Sequence, residues 1–217
     1  MRKEAIGLWP IPAVLGGLSA GVAIYDLIKG SKVPTLTVKD LRGVKASQVD
    51  PRVYVKELLE RKPLRKPPVV VSSLDHLPLL MKGENLTPEE LGEVQSILKR
   101  GTNACALRGE KHDYLILPNP SSRELVEHEV GHLREREKGP AETPSLLEQL
   151  AAGVWKPTYS KYVMDPEEKA WSHVEHPSDL RERALATYEK PFHRNRAGLM
   201  GTLAAAFLLS ALGTAAV

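Results

Sequence analysis

Hydrophobic positions concentrate at the two ends of this sequence, and a polar, charge-rich segment separates them. Residues 5–25 and residues 197–217 contain no charged side chain. An α-helix rises about 1.5 Å per residue, so either stretch is long enough to cross a hydrocarbon core of roughly 30 Å. We therefore predict an N-terminal membrane anchor at residues 1–29 and a C-terminal membrane helix at residues 197–217.

Both hydrophobic stretches have other interpretations. Basic residues precede the first stretch, as they do in a signal peptide, and cleavage would then fall near Ala23. A buried core helix is a further alternative for it, and for the alanine-rich C-terminal stretch. Pro10 and Pro12 predict that the regular first helix begins near Ala13 or is kinked there.

The intervening segment carries the signals of several helices and a small antiparallel sheet or hairpin. Residues 30–101 are predicted to be a linker and a helical accessory region. Residues 103–107 and 114–117 have the pattern of two strands of a hairpin, and Ser121 with Glu124 predicts a helix that continues to about Glu137. Four pairs combine an N-cap residue with a following proline, which is typical of helix starts: Asp50-Pro51, Thr87-Pro88, Thr143-Pro144 and Asp165-Pro166. The fold class is therefore α+β, mostly helical, and Pro177-Ser178 precedes a last soluble helix at 179–189.

Charge and cysteine content narrow the classes of partner and compartment. The formal net charge is only +3, and the basic residues are interspersed with acids, so we expect no nucleic acid partner. Several basic residues flank the hydrophobic stretches on their inner sides, which predicts a central domain facing the cytoplasm or a virion interior. Cys105 is the single cysteine, which excludes an internal disulfide and a cysteine-based zinc knuckle.

Residues 128–132 read His-Glu-Val-Gly-His, an H-E-x-x-H motif within the predicted helix. Side chains four residues apart lie one above the other on a helix, so both imidazoles can reach one zinc ion at about 2.0–2.1 Å. Glu129 could then accept a proton from a zinc-activated water and deliver it to the leaving amine. The alternative is a surface helix whose histidines are merely solvated.

A catalytic zinc site needs a third protein ligand and an open position. Glu167, in the first turn of the helix that Asp165-Pro166 begins, is the best choice, and Glu168 is the fallback. Alternatively, both glutamates occur in the first turn only because the positive end of the helix dipole favours acidic side chains there. An oxyanion donor could come from Tyr162 or His173, or else from Tyr159 or His176. Glu135 could orient an imidazole, or belong to a solvated charged run. No pattern assigns a role to the remaining histidines, His76, His112 and His193.

The HEVGH sequence, followed some thirty-five residues later by a helix with E-x-x-A, resembles the gluzincin branch of zinc metallopeptidases. The chain is similar to the small HEXXH domains of the ImmA/IrrE type. Its membrane segments and its HEVGHLRERE sequence are similar to the membrane-bound HtpX-like peptidases. The resemblance covers about residues 103–188. It implies a minimal zincin domain at 102–190, with zinc at His128, His132 and Glu167 and with Glu129 as general base in peptide-bond hydrolysis.

The leading hypothesis is a membrane-anchored zinc metallopeptidase with Zn²⁺ as cofactor and a peptide or protein as substrate. The lipid bilayer is its other expected partner. The hydrophobic ends could also make helix–helix or homo-oligomer contacts, since Gly17 and Gly21 form a small-xxx-small face. The rival hypothesis is a structural or membrane-remodelling component, for example of a phage virion or ejection apparatus, with an inactive or specialised zincin fold. A third is a regulatory peptidase that cuts a repressor, which would need no membrane segments.

Overall fold

Helices make up most of the chain and two small sheets complete it, so the predicted α+β, mostly helical class is confirmed. The computed structural model describes residues 10–34, 36–42, 47–84, 86–101, 103–109, 112–139, 144–175 and 179–215. Two compact units emerge. A mixed unit comprises residues 35–143 and 163–185, and a helical unit comprises residues 1–34, 144–162 and 186–217.

The helices and strands follow one another in chain order with short connections. The helices are α1 (Pro10–Lys32), α2 (Val38–Arg42), α3 (Pro51–Arg61), α4 (Leu77–Gly83), α5 (Pro88–Arg100), α6 (Arg123–Lys138), α7 (Leu146–Ala152), α8 (Lys156–Tyr159), α9 (Asp165–Trp171) and α10 (Asp179–Ala215). The strands are β1 (Gln48–Val49), β2 (Val69–Val71), β3 (Cys105–Arg108), β4 (Asp113–Ile116) and β5 (Ser121–Ser122). A 3₁₀ turn at Leu74–His76 precedes α4, and a π-helical segment at Ser160–Met164 precedes α9.

The mixed unit is built on a three-stranded sheet of order β2-β4-β3. Strands β3 and β4 are antiparallel, with Cys105 opposite Ile116, so the predicted hairpin is confirmed. Strand β2 joins β4 in parallel, and β1 pairs with β5 in a separate two-stranded ladder. The core contains Leu115 and Leu117 from β4 and its end, Val55 from α3, and Val126 and Val130 from α6. This packing fixes α6, which carries the H-E-x-x-H motif.

Capping explains where several helices begin and end. The Asp50 side chain accepts hydrogen bonds from Arg52 and Val53, and Thr87 forms a complete capping box with Glu90, as predicted. Helix α6 differs from the prediction by one residue. Ser122 is its N-cap, whereas Ser121 pairs with Val49 in the β1–β5 ladder.

Helix α9 begins without the predicted side-chain cap. The chain enters it from the π-helical segment, and the residue at the N-cap position is Met164 in right-handed helical conformation. Asp165 is therefore already helical. The cap predicted at Thr143 and the break predicted at Pro177-Ser178 lie outside the described residues.

The C-terminal helix is longer than predicted. Residues 179–189 were expected to end a soluble helix before a separate membrane segment, but α10 runs unbroken from Asp179 to Ala215 and includes Pro191. A proline inside a helix costs about 3 kcal/mol. Burial of the neighbouring Phe192 offsets that cost, since its ring is 1% exposed and lies 5.0 Å from the ring of Tyr159.

Within the helical unit, α1 and α10 run antiparallel in direct contact. A Cβ atom on Gly16 would lie 3.1 Å from the Leu208 side chain, while further along the pair His193 Nδ1 lies 2.9 Å from Asp26 Oδ1. Asp26 is fully buried, and Arg196 Nε lies 3.3 Å from its second oxygen. Close packing at one end and buried ion pairs at the other thus hold the two helices together.

Both helices of this pair expose large apolar side chains, among them Leu18, Ile24, Leu208 and Leu209. Among the described residues, α10 is the one helix long and apolar enough to cross a membrane. Helix α1 begins at Pro10, earlier than predicted, and residues 1–9 of the predicted anchor lie outside the described residues. Gly17 and Gly21 have no described atom within 4 Å of a Cβ built on them, so the contact uses Gly16 instead.

Within the mixed unit, a cluster of Thr37, Asp40 and Arg183 joins α2 to the first turns of α10. Asp40 Oδ2 accepts hydrogen bonds from the Thr37 backbone N–H at 2.7 Å and from Arg183 Nη2 at 2.8 Å. Hydrogen bonds from Arg183 and Thr37 lower the pKa of the Asp40 carboxyl to about 2. An aspartate in an unfolded chain titrates near about 3.9, so the folded state favours the ionised form.

Asp40→Asn is expected to reduce the free energy of unfolding by about 1 kcal/mol at pH 7. Because folding depresses the pKa, the carboxylate contributes fully above about pH 4 and loses its contribution as the pH falls toward about 2. Urea unfolding of the wild type and the variant should therefore converge as the pH falls from about 4 to about 2. Glu57→Gln on the exposed face of α3 is the control, and its difference from the wild type should stay flat. A gap for Asp40→Asn that is independent of pH would contradict the prediction.

Candidate metal centre

Helix α6 presents the H-E-x-x-H residues on its buried side. The Ser122 hydroxyl accepts a hydrogen bond from the Leu125 N–H, one of the first-turn N–H groups that have no partner within the helix. Val126 and Val130 pack into the core, which places His128 and Glu129 in the interior, 1% and 5% exposed. The position of the motif thus excludes the alternative of a solvated surface helix.

Three ligand-type atoms converge between α6 and α9. His128 Nε2 and His132 Nε2 lie 3.2 Å apart, and Glu167 Oε2 lies 3.3 Å from the first and 3.5 Å from the second. Glu168, the fallback for the third ligand, is exposed. The structure therefore places Glu167, and not Glu168, beside the two imidazoles.

The spacing of these atoms fits a metal ion. In a tetrahedral zinc site with bonds of about 2.0–2.1 Å, neighbouring ligand atoms lie about 3.3 Å apart. Glu167 Oε2 is also buried and has no hydrogen-bond partner among the described residues. A buried carboxylate oxygen that faces two imidazole nitrogens is costly unless a cation or a proton lies between them. Two imidazoles and one carboxylate form a donor set that suits Zn²⁺.

Close contact between the backbones of α6 and α9 brings Glu167 to the histidines. A Cβ atom on Gly131 would lie 2.5 Å from the carbonyl oxygen of Ala170, so only glycine fits at this point of α6. Gly131 follows His128 by three residues, and Ala170 follows Glu167 by the same interval. The contact therefore lies within one helical turn of a proposed ligand on each helix.

The charges of the cluster act on one another. Burial alone would raise the pKa of the Glu167 carboxyl, but the imidazoles of His128 and His132 outweigh it and lower that pKa to about 2. Burial lowers the pKa of His132, whereas Glu167 and Glu129 raise it, and the net direction is upward. The site thus holds an ionised carboxylate beside two nitrogen atoms. Its negative charge favours the binding of a divalent cation.

Glu129 is buried beside the ligands. Burial raises the pKa of its carboxyl, and the imidazoles of His128 and His132 oppose that rise. Cys105 lies in β3 and is partly buried, as expected for a strand residue. Burial and the nearby Glu129 raise the pKa of the Cys105 thiol to about 12, so the thiol is neutral at pH 7.

The other residues predicted near the site have different surroundings. His173 Nε2 lies 2.6 Å from Glu135 Oε1, so these two form a pair with each other. Tyr162 and Tyr159 belong to the helical unit, where the Tyr162 hydroxyl donates to Glu148 Oε1 at 2.6 Å. His176 lies outside the described residues. The oxyanion donor and the role of Glu135 therefore stay predictions.

Two residues of the centre were not singled out in the sequence. Gly131 occupies an unspecified position of H-E-x-x-H, and only its small size could have indicated a helix contact. Trp171 stacks on His128, with ring centroids 4.4 Å apart and planes inclined by 29°. It follows Glu167 by four residues, which is the one signal that it shares a helix face with the ligand.

No family model, no curated protein and no solved structure matches this chain.

Proposed function

We propose that this protein is a zinc metallopeptidase anchored to a membrane, with His128, His132 and Glu167 as metal ligands and Glu129 as general base. The observation that carries the proposal is the spacing of 3.2, 3.3 and 3.5 Å among two Nε2 atoms and one carboxylate oxygen. Zn²⁺ held by three protein ligands supplies a Lewis acid that polarises a carbonyl group and lowers the pKa of water.

The chain's own residues perform the proton transfers. Glu129 neighbours both histidines, and its burial raises the pKa of its carboxyl, which makes it a better proton acceptor than an exposed glutamate. It takes a proton from the attacking water and delivers it to the amine that leaves the cleaved peptide bond. The histidines and Glu167 hold their positions because α6 and α9 touch at Gly131 and Ala170.

Membrane attachment is the second element of the proposal. Helix α10 has the length and composition of a membrane span, and α1 lies antiparallel to it with large apolar side chains exposed. Such side chains are more stable in lipid than in water. Arg194 and Lys29 lie at the inner ends of the two hydrophobic stretches, so the mixed unit faces the cytoplasm or a virion interior by the positive-inside rule.

Metal analysis of the detergent-solubilised full-length protein tests the site. We expect one zinc ion per chain in the wild type, and an affinity at least about 100-fold weaker in His132→Ala and in Glu167→Gln, because each variant removes a ligand. Glu168→Gln is the matched control for Glu167→Gln, and His112→Ala on the surface is the control for His132→Ala. Both controls should keep the metal.

Two outcomes would contradict the proposal. A folded wild type without metal would favour the rival hypothesis, a structural or membrane-remodelling component with an inactive zincin-like fold. Equal losses of zinc in Glu168→Gln and Glu167→Gln would mean that the carboxylate seen at the cluster is not the third ligand.

A further inference from the structure

Among the described residues, no hydrogen bond at Nδ1 orients the ring of His128. A histidine that binds a metal through one nitrogen nearly always donates a hydrogen bond from the other nitrogen to a carboxylate, a carbonyl or water. His128 turns Nε2 toward His132 and Glu167, and its Nδ1 is buried with no hydrogen-bond partner among the described residues. The described contacts that act on the imidazole are therefore those of its ring.

The indole of Trp171 provides such a contact. Its ring lies 4.4 Å from the His128 ring, centroid to centroid, and the planes are inclined by only 29°. The rings of His128 and His132 make a second, T-shaped contact, with centroids 4.6 Å apart and planes inclined by 75°. An imidazole stacked on an indole and in T-shaped contact with a second imidazole has little freedom to rotate about its χ2 angle.

Trp171 is itself immobilised by packing. It is 2% exposed and belongs to an apolar cluster with Val174, Leu180 and Ala184. It follows Glu167 by one turn of α9, so one short helix supplies both the carboxylate ligand and the surface on which the first histidine rests. Trp171 Nε1 has no hydrogen-bond partner among the described residues, so the ring face is its contribution to the site.

We propose that Trp171 is a positioning residue of the metal centre, and that its stacked indole, in place of a hydrogen bond at Nδ1, keeps His128 Nε2 directed at the metal. This inference rests on the proposed function, because it requires that His128, His132 and Glu167 bind a metal ion. A stacked ring orients the imidazole without accepting a hydrogen bond from Nδ1. Metal affinity should therefore depend on whether residue 171 offers a flat ring to His128.

Two substitutions separate the ring contact from simple core packing. Trp171→Phe keeps an aromatic face and breaks no hydrogen bond, whereas Trp171→Leu keeps apolar bulk without a ring. Zinc affinity is measured by chelator competition, and geometry by the absorption spectrum of the Co²⁺-substituted full-length protein in detergent. We expect Trp171→Phe to stay within about threefold of the wild type, and Trp171→Leu to bind zinc about 10- to 100-fold more weakly with an altered Co²⁺ spectrum.

The outcomes separate this inference from the proposed function. A wild type that binds no metal would overturn the proposed function. A wild type that binds zinc, with Trp171→Leu matching its affinity and Co²⁺ spectrum, would overturn the role of Trp171 alone. Loss of folding stability in Trp171→Leu does not change the spectrum of the metal-saturated protein if the ring has no role.

A second measurement leaves Trp171 unchanged. The sequence contains three tryptophans, and Trp9→Phe with Trp155→Phe leaves Trp171 as the single tryptophan, whose emission can be excited selectively over that of the tyrosines. Because the indole stacks on a proposed ligand of the metal, stoichiometric Co²⁺ should quench nearly all of its emission. Emission that persists after one equivalent of Co²⁺ has bound would place the indole away from the metal and overturn the inference.

Discussion

Glu129→Gln is expected to keep the metal and to lose hydrolysis by about 10²–10⁴-fold, the contribution of a positioned general base. The amide has nearly the shape of the carboxylate, so the helix and its ligands should be undisturbed. It cannot accept the proton that the attacking water must lose. The assay uses zinc-loaded, detergent-solubilised protein and a mixture of internally quenched peptides, with zinc content measured on the same samples.

The control for this experiment is Glu89→Gln, which removes an exposed carboxylate from the first turn of α5 and should leave hydrolysis unchanged. Full activity in Glu129→Gln would show that another group accepts the proton. Zinc-loaded wild type that cleaves none of the peptides would favour the structural or membrane-remodelling hypothesis.

Gly131→Ala is expected to disrupt the contact between α6 and α9. The new Cβ would lie 2.5 Å from the Ala170 carbonyl oxygen and 3.2 Å from its Cα, and backbone atoms have little room to move. Forced separation of α6 and α9 should lower the free energy of unfolding by about 1–3 kcal/mol. It should also draw Glu167 away from His128 and weaken zinc binding.

Gly92→Ala is the matched control, because Gly92 is a glycine of α5 whose built Cβ meets no described atom within 4 Å apart from its own helix backbone. Alanine is favoured over glycine inside a helix, so this variant should gain about 0.5–1 kcal/mol. Urea unfolding and zinc competition on both variants provide the comparison. Equal stability in the two alanine variants would mean that α6 and α9 do not touch as closely as the structure has them.

Much of the local structure could be predicted because its causes are local. The Thr87–Glu90 capping box, the Asp50 cap and the β3–β4 hairpin depend on residues close in the chain, and the structure contains all three. The predictions failed where a distant contact prevailed. Ser121 pairs with Val49 instead of capping α6, and Phe192 packs on Tyr159 and carries α10 through Pro191.

In the site too, some residues could be predicted from local sequence, whereas others depend on a distant contact. A single helical turn places His128 and His132 on one face, so the motif itself determined the pair of imidazoles proposed to bind the metal and the adjacent Glu129. The choice between Glu167 and Glu168 depends on how α9 is rotated against α6, and the sequence left it open. Contact of Gly131 with Ala170 selects the rotation that turns Glu167 inward.

The sequence by itself determined the α+β composition, the helix starts that depend on adjacent caps, and the two histidines that a helix must bring together. Only the tertiary structure decided the third carboxylate, the stacking of Trp171 on His128, and the pairing of Asp26 with His193 and Arg196. The reason is the distance along the chain. Periodicity and capping act within a few residues, whereas these contacts join segments that approach each other only when the core and the helix pairs have packed.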